Sequence, residues 1–123
     1  MLSLKSHAQL DTLKYLRENF EDKKSEYIGK PFSYLLSKMT KIQPKTCWAH
    51  GTNNRFIVPY SQFLFAEMDK SFSNHPIVLL IRWNPPLQRK DIEVYEKKNG
   101  FFFTTDEKAF YGDKIVGDIE VYR

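Results

Sequence analysis

Several groups of side chains in this 123-residue sequence are of types and spacings that could do chemistry. Cys47, Trp48 and His50 lie close together in Thr46-Cys47-Trp48-Ala49-His50, with Trp48 and His50 on one face if the segment is a strand. His75 stands just before the longest apolar run. A thiol with an imidazole base is the pairing used in nucleophilic catalysis. No nucleophile elbow, HExxH or paired-histidine spacing accompanies them, so the plainer reading is two loop-end histidines and a core cysteine. Asp118 and Glu120, two residues apart, would share one face of a strand and could hold a divalent cation or exchange protons. A nuclease would need a further acid and a nearby lysine, for which Asp113 and Lys114 are loose candidates. Simple alternation already explains Asp118 and Glu120 as a solvent face. Gly29-Lys30 has the look of a phosphate loop but lacks an upstream glycine at the required spacing. Pro31 occupies the place where that loop needs Ser or Thr, and the pair reads instead as the start of a helix.

Two further groups are suited to binding. Tyr27, Lys30, Tyr34, Lys38, Lys41, Lys45, Trp48 and Arg55 interleave cations with rings, as a nucleic-acid surface would. No base-stacking sheet motif, zinc finger or recognition helix goes with them. Arg82-Trp83-Asn84-Pro85-Pro86 would present a planar cation and a rigid ring at the end of a strand, and Arg and Trp are the residue types enriched at binding hot spots. Alternatively, Trp83 closes the end of the core and Arg82 pairs with a carboxylate. The candidates for contact with a protein partner are therefore Trp83, Arg82, Trp48 and Tyr34. For a nucleic acid they are Lys30, Lys38, Lys41, Lys45 and Arg55. The sequence points to no catalytic residue, metal or cofactor.

The elements that must position these residues follow from periodicity. Leu10, Leu13, Leu16, Arg17 and Phe20 recur at helical spacing and predict a helix from about Ala8 to about Asp22. Pro31 is placed as the first residue of a second helix, whose Phe32, Leu35, Leu36 and Met39 form one apolar stripe. From Ile42 the texture changes to strands. Ile42–His50 is followed by the turn residues Gly51-Thr52-Asn53-Asn54, and a second strand begins near Arg55. Pro59, which has no N–H for a ladder, marks a bulge, break or edge, and Gln62–Met68 resumes the strand. Asp69–His75 reads as a polar loop. Ile77–Trp83 is apolar on both faces and reads as the best-buried strand, ended by Asn84-Pro85-Pro86.

Leu87–Asn99 fits either a helix or a strand. The helix is preferred because Gly100 would be its left-handed terminator. Phe101-Phe102-Phe103 is a short strand or connector. Thr104 and Glu107 spell a capping box for a helix to about Tyr111, and Ile115–Tyr122 alternates as a half-buried strand. The expected fold class is α+β: two N-terminal helices on a mostly antiparallel sheet of four or five strands, with one or two short helices before the C-terminal strand. Leu13, Leu16, Phe32, Leu35, Leu36, Leu79, Ile81 and Ile119 are the expected core.

Composition bounds the rest. The length suits a single domain over residues 1–123, and apolar residues at 41% with aromatics at 15% exclude the disordered class. The longest apolar run is too short to cross a bilayer, and the first residues lack the apolar region of a signal peptide. With Cys47 as the sole cysteine no internal disulfide is available, and a cytoplasmic setting is expected. Net charge is +4, unevenly placed: residues 1–60 hold ten Lys/Arg against five Asp/Glu, and the remainder nine against ten. The excess lies between Lys23 and Arg55; it is modest, and it is a clue to partner chemistry that would track phosphates if the partner is a nucleic acid. The expected function is a non-catalytic protein-binding module, such as an inhibitor or immunity-type protein. A nucleic-acid-binding protein and a small enzyme such as a nuclease are the alternatives.

Overall fold

The computed structural model describes residues 12–51, 53–66 and 76–123. It is an α+β structure with a four-stranded antiparallel sheet. The first helix, α1, is α-helical over residues 12–16 and continues as a π-helical turn, Arg17–Glu21. Its Leu16 and Phe20 are buried as the spacing predicts, while Leu13 is only half-buried; Leu10 and the predicted helix start lie outside the described residues. A single 3-10 turn, Lys24–Glu26, leads to Gly29, whose φ of 87° is the left-handed conformation that favours glycine.

Helix α2 spans Phe32–Lys38 and buries Phe32, Leu35 and Leu36, with Met39 buried just past its end. Pro31 precedes the helix instead of opening it. Its backbone is extended (φ −63°, ψ 146°) because it bridges to Ile115 beside the last strand.

The strands β1 (Thr46–His50), β2 (Ile57–Leu64), β3 (Val78–Gln88) and β4 (Val116–Tyr122) pair in sequence order. Helices α3 (Arg89–Asn99) and α4 (Thr105–Gly112) occupy the connection between β3 and β4. Register aligns Cys47, Phe63, Leu79 and Val121 across the sheet, and Ala49, Ser61, Ile81 and Ile119 in the next row on the same face. That face meets Leu16, Phe20, Phe32, Leu35 and Tyr111 in one continuous buried cluster.

The ambiguous segment after β3 is helical, and Gly100 ends it at φ 66° while donating its N–H to Glu96. The capping box of α4 is present as written, with Glu107 accepting from the Thr104 N–H at 3.0 Å.

Three strand expectations need correction. Residues 42–45 are not strand: β1 starts at Thr46. Of the readings for Pro59 the bulge holds, within one strand β2 whose pairing is irregular between Val58 and Tyr60, but that strand ends at Leu64, so residues 65–66 are not strand. Asn84-Pro85-Pro86 does not end β3. Val58 pairs with Leu87 and Tyr60 with Arg82, so the two prolines lie opposite this bulge, where no ladder N–H is asked of them. A second register shift, between Arg82 and Trp83, pairs Trp83 with Val116 and brings Val116 into the core against its alternation.

Both sheet edges are covered. Cys47 N–H donates to Phe101 O at 2.9 Å and Phe103 N–H to Lys45 O at 2.9 Å, so the triple-Phe segment lines β1. On the other side Gly29 N–H donates to Val116 O at 2.8 Å and Val121 N–H to Glu21 Oε2 at 2.6 Å. Covered edges leave no free ladder for a further strand along these stretches.

Candidate functional site

The cations and rings of the basic region do not all gather on one surface. Lys30, Tyr34 and Lys38 do. Tyr34 projects from the exposed side of α2 and remains 37% exposed. Lys30 holds its ammonium 4.7 Å from the Tyr34 ring centroid and Lys38 holds its own at 5.4 Å. The cause is spacing: residues four apart on a helix stack along one side, and Lys30, though just outside α2, continues the same line. Ring quadrupoles attract ammonium groups, so Tyr34 organises both cations.

A line of rings joins this cluster to α1. Tyr34 meets Tyr27 at 5.8 Å, Tyr27 meets Phe20 at 5.5 Å, and Phe20 meets Tyr15 at 5.6 Å. Burial pushes the Tyr27 phenol above its usual pKa, and Glu26 beside it adds to the effect. The line passes through buried Tyr27 and Phe20, and Tyr15 at its other end is half-buried. Its hydroxyl accepts from Thr40 N–H at 3.1 Å and Lys41 N–H at 3.4 Å, and donates to Lys38 O at 3.5 Å. Lys41 in turn places its ammonium 5.4 Å from the Tyr15 ring. Beside this pair lies a groove of 490 Å³, lined by Lys14, Tyr15, Glu18, Asn19 and Lys41 among others. Tyr15 was not legible as a site residue, because its partners at residues 38–41 follow it by more than twenty positions and no local pattern links them.

The other candidates are elsewhere. Lys45 precedes β1, with its backbone bonded to Leu64 and Phe103. Arg55 lies in the β1–β2 connection, its guanidinium 5.1 Å from the Phe56 ring. Trp48 stacks on Phe101 at 3.9 Å and donates its indole N–H to Thr46 Oγ1 at 3.0 Å.

Trp83 is a core residue at 2% exposure, not a surface anchor. Its ring stacks on Tyr111 at 5.5 Å, and its indole N–H donates to Ser61 Oγ at 2.9 Å. Arg82, on the opposite side of the strand, is exposed and donates to Gly117 O at 3.2 Å.

Of the groups with catalytic types, Cys47 is buried, and desolvation pushes its thiol up to about 12, with Glu107 and Glu96 nearby adding to the rise. A thiol so placed stays protonated and is a poor nucleophile. His50 is exposed, its ring edge-on to Tyr60 at 6.1 Å, and His75 lies outside the described residues.

Asp118 and Glu120 share the outer sheet face with Tyr60, Leu80 and Arg82, around a depression of 330 Å³. Asp118 is bound by Lys24 Nζ at 3.0 Å, a partner that sequence spacing did not indicate. Burial works to raise the Asp118 pKa, yet hydrogen bonds from Lys24 and the Ile119 N–H, with the charges of Lys24 and Arg82, hold the carboxyl below its usual range. Asp113 and Lys114 pair with each other at 3.5 Å and line a different groove. Among the described residues no group of three or more His, Cys, Asp or Glu is placed to hold a metal ion, and no helix is long and apolar enough to cross a membrane.

Compared with known proteins, the chain matches no family model, no curated protein and no solved structure. Its functional reading rests on the site alone.

Proposed function

We propose that this protein is a non-catalytic protein-binding module, of the inhibitor or immunity type, that meets its partner through the exposed side of α2. The observation that carries this is the placement of two ammonium groups, from Lys30 and Lys38, against the exposed ring of Tyr34. A ring with two attached cations is a rigid amphipathic anchor, and Tyr gives large contact area at low entropic cost. The underlying helix is fixed by Phe32, Leu35 and Leu36 in the core, so the anchor is presented without ordering a loop. Against a catalytic role stand the protonated, buried Cys47 thiol and the engagement of Asp118 with Lys24.

The test begins with cross-linking in the native host to identify the partner, followed by titration of the purified pair. Tyr34→Ala is expected to weaken the complex about tenfold or more, as loss of a hot-spot ring does, while Phe56→Ala at the far hairpin changes it little. Equal affinity for wild type and Tyr34→Ala would remove α2 as the contact surface.

Lys41 on Tyr15 extends the cation line and favours nucleic acid as the second reading. In that case the affinity for any sequence should fall steeply with salt, because each neutralised phosphate releases counterions.

A further inference from the structure

We infer that the partner reaches this surface as an extended acidic segment of a protein, its carboxylates meeting Lys30, Lys38 and Lys41 in turn. The inference rests on the binding reading above and names the chemistry of the partner. The cations over the Tyr34 and Tyr15 rings are all lysines, and Lys30, Lys38 and Lys41 appear in no ion pair among the described residues. Each therefore has ammonium donors to offer to an incoming anion.

Two features favour a carboxylate-bearing chain. Tyr34 already carries Lys30 at 4.7 Å and Lys38 at 5.4 Å, and Tyr15 carries Lys41 at 5.4 Å, so cations compete for the ring faces on which bases would stack. The spacing also fits. Because both ammonium groups are measured from one ring centroid, at 4.7 and 5.4 Å, they lie no more than about 10 Å apart. Side chains at i and i+2 of an extended strand emerge on one side about 7 Å apart, within that span. The connection from Lys38 to Lys41 is pinned to α1 by the Tyr15 hydroxyl, so the third cation holds a fixed place beside the 490 Å³ groove. Glu18 on that groove is not a strong deterrent, since Lys14 approaches it at 4.0 Å. An acidic segment passing α2 would run on along the groove wall.

The test uses the full chain and three fluorescent probes at low ionic strength: a short peptide alternating Glu and Ser, the same peptide with Gln for Glu, and a single-stranded thymidine oligonucleotide. The Glu peptide should bind and the Gln peptide should not. The double variant Lys30→Gln with Lys38→Gln should weaken the Glu peptide about tenfold, and Lys30→Arg with Lys38→Arg should restore most of that loss. A control pair away from the surface, Lys45→Gln with Arg55→Gln, should leave binding within about twofold. Thermal melts of each variant show that the fold is intact. The inference is overturned if the Glu peptide does not bind, if it is indifferent to the Lys30/Lys38 pair, or if the oligonucleotide binds more tightly. A protein partner that is lost with Tyr34→Ala while the Glu peptide ignores the lysines would overturn the acidic segment and leave the binding module standing.

Discussion

The indole N–H of Trp83 donates to Ser61 Oγ at 2.9 Å across the β2–β3 pair, entirely within the core. The Ser61 hydroxyl also meets the Tyr111 phenol, so one serine, itself fully buried, serves two rings that stack on each other at 5.5 Å. A buried ring with a polar tip needs such a partner, because an unsatisfied N–H costs its full desolvation.

Ser61→Ala is therefore expected to destabilise the protein by about 1–3 kcal/mol, more than the loss of one small polar side chain from a surface would. Urea unfolding of Ser61→Ala beside Ser37→Ala, an exposed serine whose hydroxyl donates to Tyr34 O at 2.6 Å, gives the comparison. Equal midpoints for the two variants would show that the serine does not support the indole.

The pair Lys24–Asp118 makes stability pH-dependent in a defined direction. The folded Asp118 carboxyl titrates below its ordinary range. Its contribution is thus complete above the unfolded value, about 3.9, and is lost as pH falls through the lower folded value. Lys24→Gln should raise the Asp118 pKa, read by carboxyl NMR titration, and shift the onset of acid unfolding to higher pH. An unchanged titration would mean that the 3.0 Å contact carries no charge coupling.

Cys47 should react slowly in the native state. With its thiol pushed up to about 12, only on the order of one molecule in ten thousand carries a thiolate at pH 8, and burial limits access further. Ellman's reagent should label it at a rate set by unfolding, accelerating in step with urea. Rapid labelling of native protein at pH 8 would contradict the burial of Cys47.

Tyr15→Phe removes a hydroxyl that accepts from Thr40 and Lys41 and donates to Lys38 while leaving the ring in place. These contacts are exposed, so a stability loss of no more than about 1 kcal/mol is expected. The larger effect should be on the Glu–Ser peptide, because Lys41 loses its fixed position. A change in melting temperature with no change in peptide affinity would assign Tyr15 to folding alone.

Much of the fold was legible because local chemistry writes it. The stripe Phe32, Leu35, Leu36 and Met39 specifies the buried side of α2 by helical geometry, and Thr104 with Glu107 starts α4 through reciprocal hydrogen bonds three residues apart. Gly100 ends α3 because its left-handed φ suits no side chain well. Tyr34, Lys30 and Lys38 were likewise nominated by type, and their four-residue spacing already implies one side.

What only the tertiary structure decided are relationships across strands and between distant segments. Asn84-Pro85-Pro86 reads locally as a stop, yet β3 passes through it because the bulge at Pro59 on the neighbouring strand removes the need for those N–H groups. Because β3 continues past Arg82, alternation keeps Trp83 on the buried face with Leu79 and Ile81 and leaves Arg82 outward, so a pair that looks like one surface feature is divided between core and solvent. Lys24 finds Asp118, and Tyr15 finds Lys38, Thr40 and Lys41, through chain folding alone. Periodicity encodes which side of an element is apolar, but not which element will face it. That is set by how the sheet registers and which segments its edges accept, and it left Lys30 and Lys38 over Tyr34 and Lys41 over Tyr15, while Lys45 lies beside β1 and Arg55 over Phe56.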